Sequence, residues 1–229
     1  MDDTAFREWL GVALAQVVSE EGAVLLMPGR RADLERFRAR VSRAFGELRA
    51  QLSRAGVLHV VPEMPLSGSY AGGPIRGFAD LVLSKKGEQR AILDLKWGGK
   101  NWYPALLEEN RHLQLALYAE LLRQQTGAWP AVAYFLLEAG RLIAPDKSFF
   151  PDARVVRSKN PETTAQLWQR FLATWRWRMD QIEAGRIEVV VEDIEATPES
   201  LGPQHGLAIE ALNPDYNPFA NLVGWRAEP

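Results

Sequence analysis

The sequence has 229 residues, 47% hydrophobic and 24% charged, and this balance is typical of a globular domain with a sizeable core. It contains no cysteine, which excludes disulfides, thiol nucleophiles and cysteine-bound zinc or iron–sulfur clusters, and agrees with the cytoplasmic location that we expect. No apolar run approaches the roughly 20 residues of a membrane span, so we expect no contact with a membrane.

The net charge of −2 conceals an uneven distribution of charge along the chain. Residues 30–179 carry 24 basic and 14 acidic residues, whereas both flanking segments are acidic. This central segment is therefore the candidate for binding a polyanion such as DNA. The alternative is an ordinary solvated, arginine-rich helix surface.

Hydrophobic periodicity predicts two helices followed by a small antiparallel meander, a helix, a buried strand and a further helix. The predicted order is helices at 4–27 and 32–54, strands at 57–61, 75–83 and 90–97, a helix at 104–125, a strand at 131–137 and a helix at 160–184. We expect three parts: N-terminal helices packing on the core (1–56), the core with its C-terminal helix (57–195), and an irregular proline-rich tail (196–229). The pattern is that of an α/β protein.

Two carboxylates interrupt the apolar strands of the meander. Asp80 lies in the strand 77–83, and Asp94 lies in the strand 91–97 two residues before Lys96. Side chains alternate along a strand, so Asp94 and Lys96 project from the same face. If the hairpin also brings Asp80 close, a divalent cation would relieve the repulsion, and oxygen ligands favour Mg²⁺ or Mn²⁺.

Two further features bear on this acid pair. Glu63 follows the first strand and could add a third carboxylate. Gln114 and Tyr118 lie one turn apart on a predicted helix and can point together toward the strands. Taken one at a time, the strand residues favour a structural Asp94–Lys96 ion pair on an edge strand, with Asp80 serving a turn. The Gln114–Tyr118 pair alone is equally compatible with an ordinary amphipathic helix.

Together these residues resemble the PD-(D/E)XK nuclease superfamily, in particular the branch of RecB-like and AddB-like nuclease domains and the exonucleases of CRISPR adaptation. The matching residues are Glu63, Gly77-Phe78-Ala79-Asp80, Asp94-Leu95-Lys96 and Gln114-Leu115-Ala116-Leu117-Tyr118. The resemblance implies a restriction-endonuclease-like αβββαβ core whose mixed central sheet is flanked by helices.

The resemblance also implies roles for individual residues. Asp80 and Asp94 would hold the metal ion with help from the Leu95 carbonyl, and Lys96 would position the attacking water. Gln114 and Tyr118 would contact the DNA backbone or order the site. Several RecB-like nucleases supply a histidine ligand from the first helix, but this sequence has no histidine there. The candidate replacement for that ligand is His59.

We therefore expect a Mg²⁺-dependent deoxyribonuclease, an exonuclease that processes DNA ends in repair, recombination or defence. The alternatives are a non-catalytic DNA-binding or scaffold module of a helicase–nuclease complex, and a restriction-type endonuclease. The sequence has no phosphate-loop motif, so it supplies no helicase motor of its own. It is then either the C-terminal part of something longer or the partner of a helicase. The expected DNA-binding side chains are Arg36, Arg40, Arg43, Lys85, Lys86, Lys100 and Arg111.

Overall fold

The computed structural model describes residues 2–186 together with Gly206 and Leu207. The chain divides into two compact units, Met1–Leu167 and Trp168–Pro229. In the second unit, the Arg170 guanidinium donates to the Gly206 carbonyl, and Thr174 Oγ1 accepts from the Leu207 N–H at 2.7 Å. Apart from these two residues, the predicted tail at 196–229 lies outside the described residues. The three-part division of the chain stays a prediction.

Six strands of the described residues form one sheet, and their order in the sheet is their order in the chain. The strands are β1 (His59–Tyr70), β2 (Gly73–Ser84), β3 (Arg90–Lys96), β4 (Ala131–Leu136), β5 (Arg141–Ala144) and β6 (Arg154–Val155). The β1–β2, β2–β3 and β4–β5 pairs are antiparallel, whereas β3–β4 and β5–β6 are parallel. This mixed sheet confirms the predicted α/β architecture, although β5 and β6 were not predicted.

Helices flank the sheet in the first unit. They are α1 (Asp3–Glu21), a 3₁₀ helix (Ala23–Leu26), α2 (Arg31–Arg54), α3 (Trp102–Glu108) and α4 (Leu113–Thr126). The last described helix, α5 (Thr164–Glu183), begins in the first unit and continues into the second. The Asp2 side chain caps α1 by accepting from the Ala5 N–H at 2.8 Å. Among the described helices, none combines the length and the apolar character needed to cross a membrane.

Each face of the sheet has its own hydrophobic core. One core lies between the sheet and α2, and includes Ala44, Leu48, Leu83, Leu93 and Phe135. The other lies between the sheet and α4, and includes Val82, Ile92, Leu115, Ala119 and Tyr134. Because β3 side chains alternate, Asp94 and Lys96 follow Ile92 onto the α4 face.

The single helix predicted from Pro104 to Gln125 is wrong, because the chain forms α3 and α4 with a turn between them. Asn110 in that turn is left-handed, with φ 53°, which ends a right-handed helix. Its buried side chain donates from Nδ2 to Ser158 Oγ at 2.9 Å and to the Asn160 carbonyl at 2.7 Å. The two bonds fix the turn, and with it the relative placement of α3 and α4.

The predicted start of the last helix at Asn160–Pro161 is also wrong, because α5 begins at Thr164. The cap is Thr163, whose Oγ1 accepts from the Gln166 N–H at 3.2 Å. The Gln166 side chain returns the bond by accepting from the Thr163 N–H at 2.8 Å. This reciprocal capping box outweighs the asparagine–proline signal three residues earlier.

Candidate active site

The two strands that carry the aspartates separate where those aspartates lie. The β2–β3 pairing ends at Leu81 and Leu93, one residue before Asp80 and Asp94 would stand opposite each other. Beyond that point the Leu95 N–H donates to Asp80 Oδ2 at 2.7 Å instead of to a strand carbonyl. The Asp80 carboxylate therefore fills the gap between the strands, close to Asp94.

Asp94 places a carboxylate in a strand interior, where its burial costs free energy of folding. Its side chain is completely buried, and Oδ1 has no partner among the described residues. Oδ2 forms a close ion pair with Lys96 Nζ at 2.6 Å. The pKa of Asp94 is raised to about 6, mainly by burial and also by the charge on Asp80, while Lys96 opposes this rise.

Lys96 is held as a charged ammonium group. Burial alone would lower its pKa, but the neighbouring Asp94 carboxylate outweighs burial and leaves the pKa of Lys96 raised. Its Nζ donates to Gln114 Oε1 at 3.1 Å. A lysine with a raised pKa is a poor general base, so the geometry suits orientation of a water molecule or stabilisation of negative charge.

Gln114 and Tyr118 extend this chain of contacts along α4. Gln114 is exposed, and its Nε2 lies 3.4 Å from the Tyr118 hydroxyl. The Tyr118 ring in turn packs against Gly77 of β2, where a Cβ atom would come within 3.0 Å of the ring. Gly77 thus leaves the space that lets Tyr118 lie close to β2, three residues before Asp80.

Two tyrosines that the sequence analysis did not single out form the inner wall of the site. Tyr134 pairs with Asp94 in the β3–β4 register and is 1% exposed. Its ring centroid lies 4.9 Å from that of Tyr103 on α3, and Lys96 Nζ lies 5.7 Å from the Tyr103 centroid. Burial, and after it the Asp94 charge, raises the pKa of Tyr134. A polar residue in the apolar β4 run was the available signal, but its pairing with Asp94 required the register.

The structure does not bring Glu63 into a group with the two aspartates. Glu63 is flanked by the pairs Pro62–Leu81 and Met64–Ala79, so its position in β1 is level with Asp80. Its backbone is left-handed, with φ 47°, and its side chain is exposed. Within residues 2–186, no three histidine or acidic side chains converge as a metal site would require. The acidic part of the site therefore consists of Asp80 and Asp94.

Most of the predicted DNA-binding side chains lie away from this acid pair. Arg36 pairs with Asp33, while Arg40 and Arg43 both contact Glu138, and all three lie on the helix that covers the opposite face. Lys85 donates to the Phe149 carbonyl, lies 4.1 Å from its ring centroid, and has its pKa lowered by burial. Lys86 is exposed in the β2–β3 turn, beyond the end of the sheet opposite the acids.

Lys100 and Arg111 are the predicted DNA-binding residues on the segments next to the candidate site. Lys100 is exposed in the segment that joins β3 to α3, and Arg111 lies in the turn that joins α3 to α4. Arg111 pairs with Glu109 at 2.7 Å and lies over the ring of Trp102 at 5.8 Å. These two basic residues therefore belong to the segments that lead from Lys96 to Gln114.

A divalent cation fits the side chains present. The unpartnered Oδ1 of Asp94 and the neighbouring Asp80 carboxylate are oxygen donors, which suit a hard cation. Two acids and a lysine at the diverging ends of neighbouring strands, in a mixed sheet flanked by helices, define the class of restriction-endonuclease-like, metal-dependent nucleases.

Comparison with known families agrees, because residues 2–193 match the PD-(D/E)XK nuclease superfamily. The match covers most of the sequence, and the chain belongs to this superfamily. Membership implies a metal-dependent nuclease and confirms the coarser part of the predicted resemblance. No curated protein matches the chain.

Proposed function

We propose that this chain is a Mg²⁺-dependent deoxyribonuclease that hydrolyses phosphodiester bonds at DNA ends. The observation that carries the proposal is the Asp94 carboxylate, which is buried beside a second acid and has no partner for Oδ1 among the described residues. Lys96 pairs only with Oδ2, and an unpartnered oxygen on a buried charge is expensive. A bound cation would supply the missing partner.

The proposed roles follow from the contacts of each side chain. Asp80 and Asp94, with the Leu95 carbonyl, would hold the cation, which when bound makes water more acidic and neutralises charge on the attacked phosphate. Lys96 would orient the attacking water, and its raised pKa supports this role over that of a base. Gln114 holds the Lys96 ammonium at 3.1 Å, and Tyr118 supports Gln114.

The finer assignment rests on the resemblance of the sequence motifs. Glutamine and tyrosine one turn apart after the Asp-x-Lys motif are typical of the RecB-like and AddB-like branch, whose members act as exonucleases. We therefore propose an end-processing exonuclease of DNA repair, recombination or defence that works with a helicase or another subunit in the cytoplasm. Lys100 and Arg111 are the proposed contacts to the DNA backbone nearest the site.

The test is cleavage of end-labelled linear DNA and of a circular DNA of the same sequence, with Mg²⁺ or with EDTA. We expect Mg²⁺-dependent digestion of the linear substrate alone, abolished by Asp80→Asn, Asp94→Asn and Lys96→Ala. Asp146→Asn and Lys147→Ala are matched controls, because both residues are exposed and follow β5 at the end of the sheet opposite the acids.

Each alternative outcome would indicate a different function for this protein. Cleavage of the circle at defined positions would indicate a restriction-type endonuclease. DNA binding without any cleavage would indicate a scaffold module. Cleavage that survives in all three site variants would refute the assignment of the site.

A further inference from the structure

An exposed tryptophan lies next in the chain to a residue that lines the candidate site. Trp102 is the first residue of α3, and 56% of it is exposed to solvent. The next residue, Tyr103, turns inward against Tyr134 and Lys96. Consecutive helix residues point about 100° apart, so Trp102 faces outward while its neighbour lines the site.

The surroundings of Trp102 are basic. The Arg111 guanidinium lies 5.8 Å from the ring centroid, and Lys100 precedes the ring by two residues on an exposed segment. A planar aromatic ring beside cationic groups is the arrangement that binds single-stranded nucleic acid, because the ring stacks on a base and the cations contact the phosphates. The inner base pairs of a duplex are stacked on both faces and are not available to such a ring.

Another exposed tryptophan at this end of the sheet packs against a different kind of side chain. Trp97 follows Lys96, but its ring stacks on Phe37 of α2 with the centroids 5.7 Å apart, on the opposite side of the sheet. Its contact has a structural explanation, because it joins α2 to the end of β3. The same explanation does not extend to Trp102, because its ring lies beside the cationic Arg111.

The geometry points to Trp102 as a stacking platform for an unpaired base, so that the site takes single-stranded DNA, or the unpaired end of a duplex. This inference rests on the proposed deoxyribonuclease function and adds the form of its substrate. Trp102 is a specificity-determining residue here, while the acids and Lys96 carry the chemistry.

The test measures binding without cleavage, on the Asp94→Asn background in EDTA. Fluorescence anisotropy compares a labelled single-stranded oligonucleotide with a blunt duplex of the same sequence. We expect Trp102→Ala to weaken single-strand binding about tenfold, the loss typical of one base–aromatic stack, and to leave duplex binding unchanged. Trp102→Phe should retain most of the affinity because a ring remains.

The matched control is Trp129→Ala. Trp129 is 36% exposed and also lies against an arginine, Arg123, at 5.5 Å, but it precedes β4 at the far end of the sheet. We expect this variant to bind both DNAs as the background protein does. Thermal denaturation of each variant identifies any loss of binding that comes from unfolding.

A single strand of abasic nucleotides provides the decisive comparison. If Trp102 stacks on a base, Trp102→Ala should not weaken binding of this substrate further. Equal loss on abasic and normal strands, or on duplex and single strand, would overturn the stacking role. Because no cleavage is needed, these results are independent of whether the nuclease assay itself succeeds.

Discussion

Replacement of Asp94 by asparagine should stabilise the metal-free protein while removing its response to metal. In the folded chain the pKa of Asp94 is raised from 3.8 to about 6, because burial disfavours the ionised form. A difference of about two pKa units corresponds to about 3 kcal/mol at pH 7, where the carboxylate is ionised in both states. Asparagine has nearly the same shape and carries no charge, so it avoids most of this cost.

The pH dependence of the effect has a definite sign. Between pH 3.8 and 6 the folded protein holds a proton on Asp94 that the unfolded chain has lost. The stability contributed by this group is therefore present at low pH and is lost as the pH rises through the folded value. We expect the stability difference between Asp94→Asn and wild type to be small below pH 4 and to grow to its full size above pH 6.

The measurement is the free energy of unfolding by urea, from pH 4 to 8 in EDTA, for wild type and variant. Taking the difference cancels the titration of other carboxylates, and Asp146→Asn serves as an exposed control. Saturating Mg²⁺ should stabilise wild type but not Asp94→Asn. A variant that is less stable than wild type at pH 7, or a flat difference across the pH range, would refute a buried, unsatisfied Asp94.

Substitutions at three further positions test the elements around the acids. Gly77→Ala should displace the Tyr118 ring, since the new Cβ would lie 3.0 Å from it, and lower the cleavage rate with little change in the urea midpoint. Asn110→Ala should cost about 1–3 kcal/mol of unfolding free energy, through two lost hydrogen bonds and the left-handed backbone, whereas Asn110→Gly keeps the backbone and should lose less. Glu63→Gly should raise stability by about 1 kcal/mol by relieving φ 47°. Calorimetric titration of Glu63→Gln with Mg²⁺ should give the wild-type affinity, and a large loss would make this carboxylate a ligand.

The sequence was most informative where function depends on local spacing. Strand alternation correctly put Asp94 and Lys96 on one face, and helical spacing put Gln114 beside Tyr118. These relations span two to four residues and need no knowledge of the tertiary structure. The same holds for the mixed α/β order, because apolar periods of two and of 3.6 residues are properties of each segment alone.

Relations between distant segments could not be predicted in the same way. Tyr134 lies beside Asp94 only because β3 and β4 pair in one particular register. Arg40 is bound by Glu138, 98 residues away, so its charge is partly neutralised by a partner that no local pattern identifies. The arginines of α2 therefore stay a predicted DNA-binding surface, but they lie on the face of the sheet opposite the acids, and Arg36 and Arg40 are ion-paired.

The acid pair of Asp80 and Asp94 also lowers the stability of the metal-free fold at this site. The pairing of β2 and β3 stops where the aspartates begin, and a carboxylate replaces a backbone carbonyl as the acceptor for Leu95. Hydrophobic residues at both positions would continue the ladder and avoid the desolvation cost of the charge. The chain keeps two acids instead, which is the expected compromise when binding of a cation, and not the stability of the metal-free protein, decides which residues lie there.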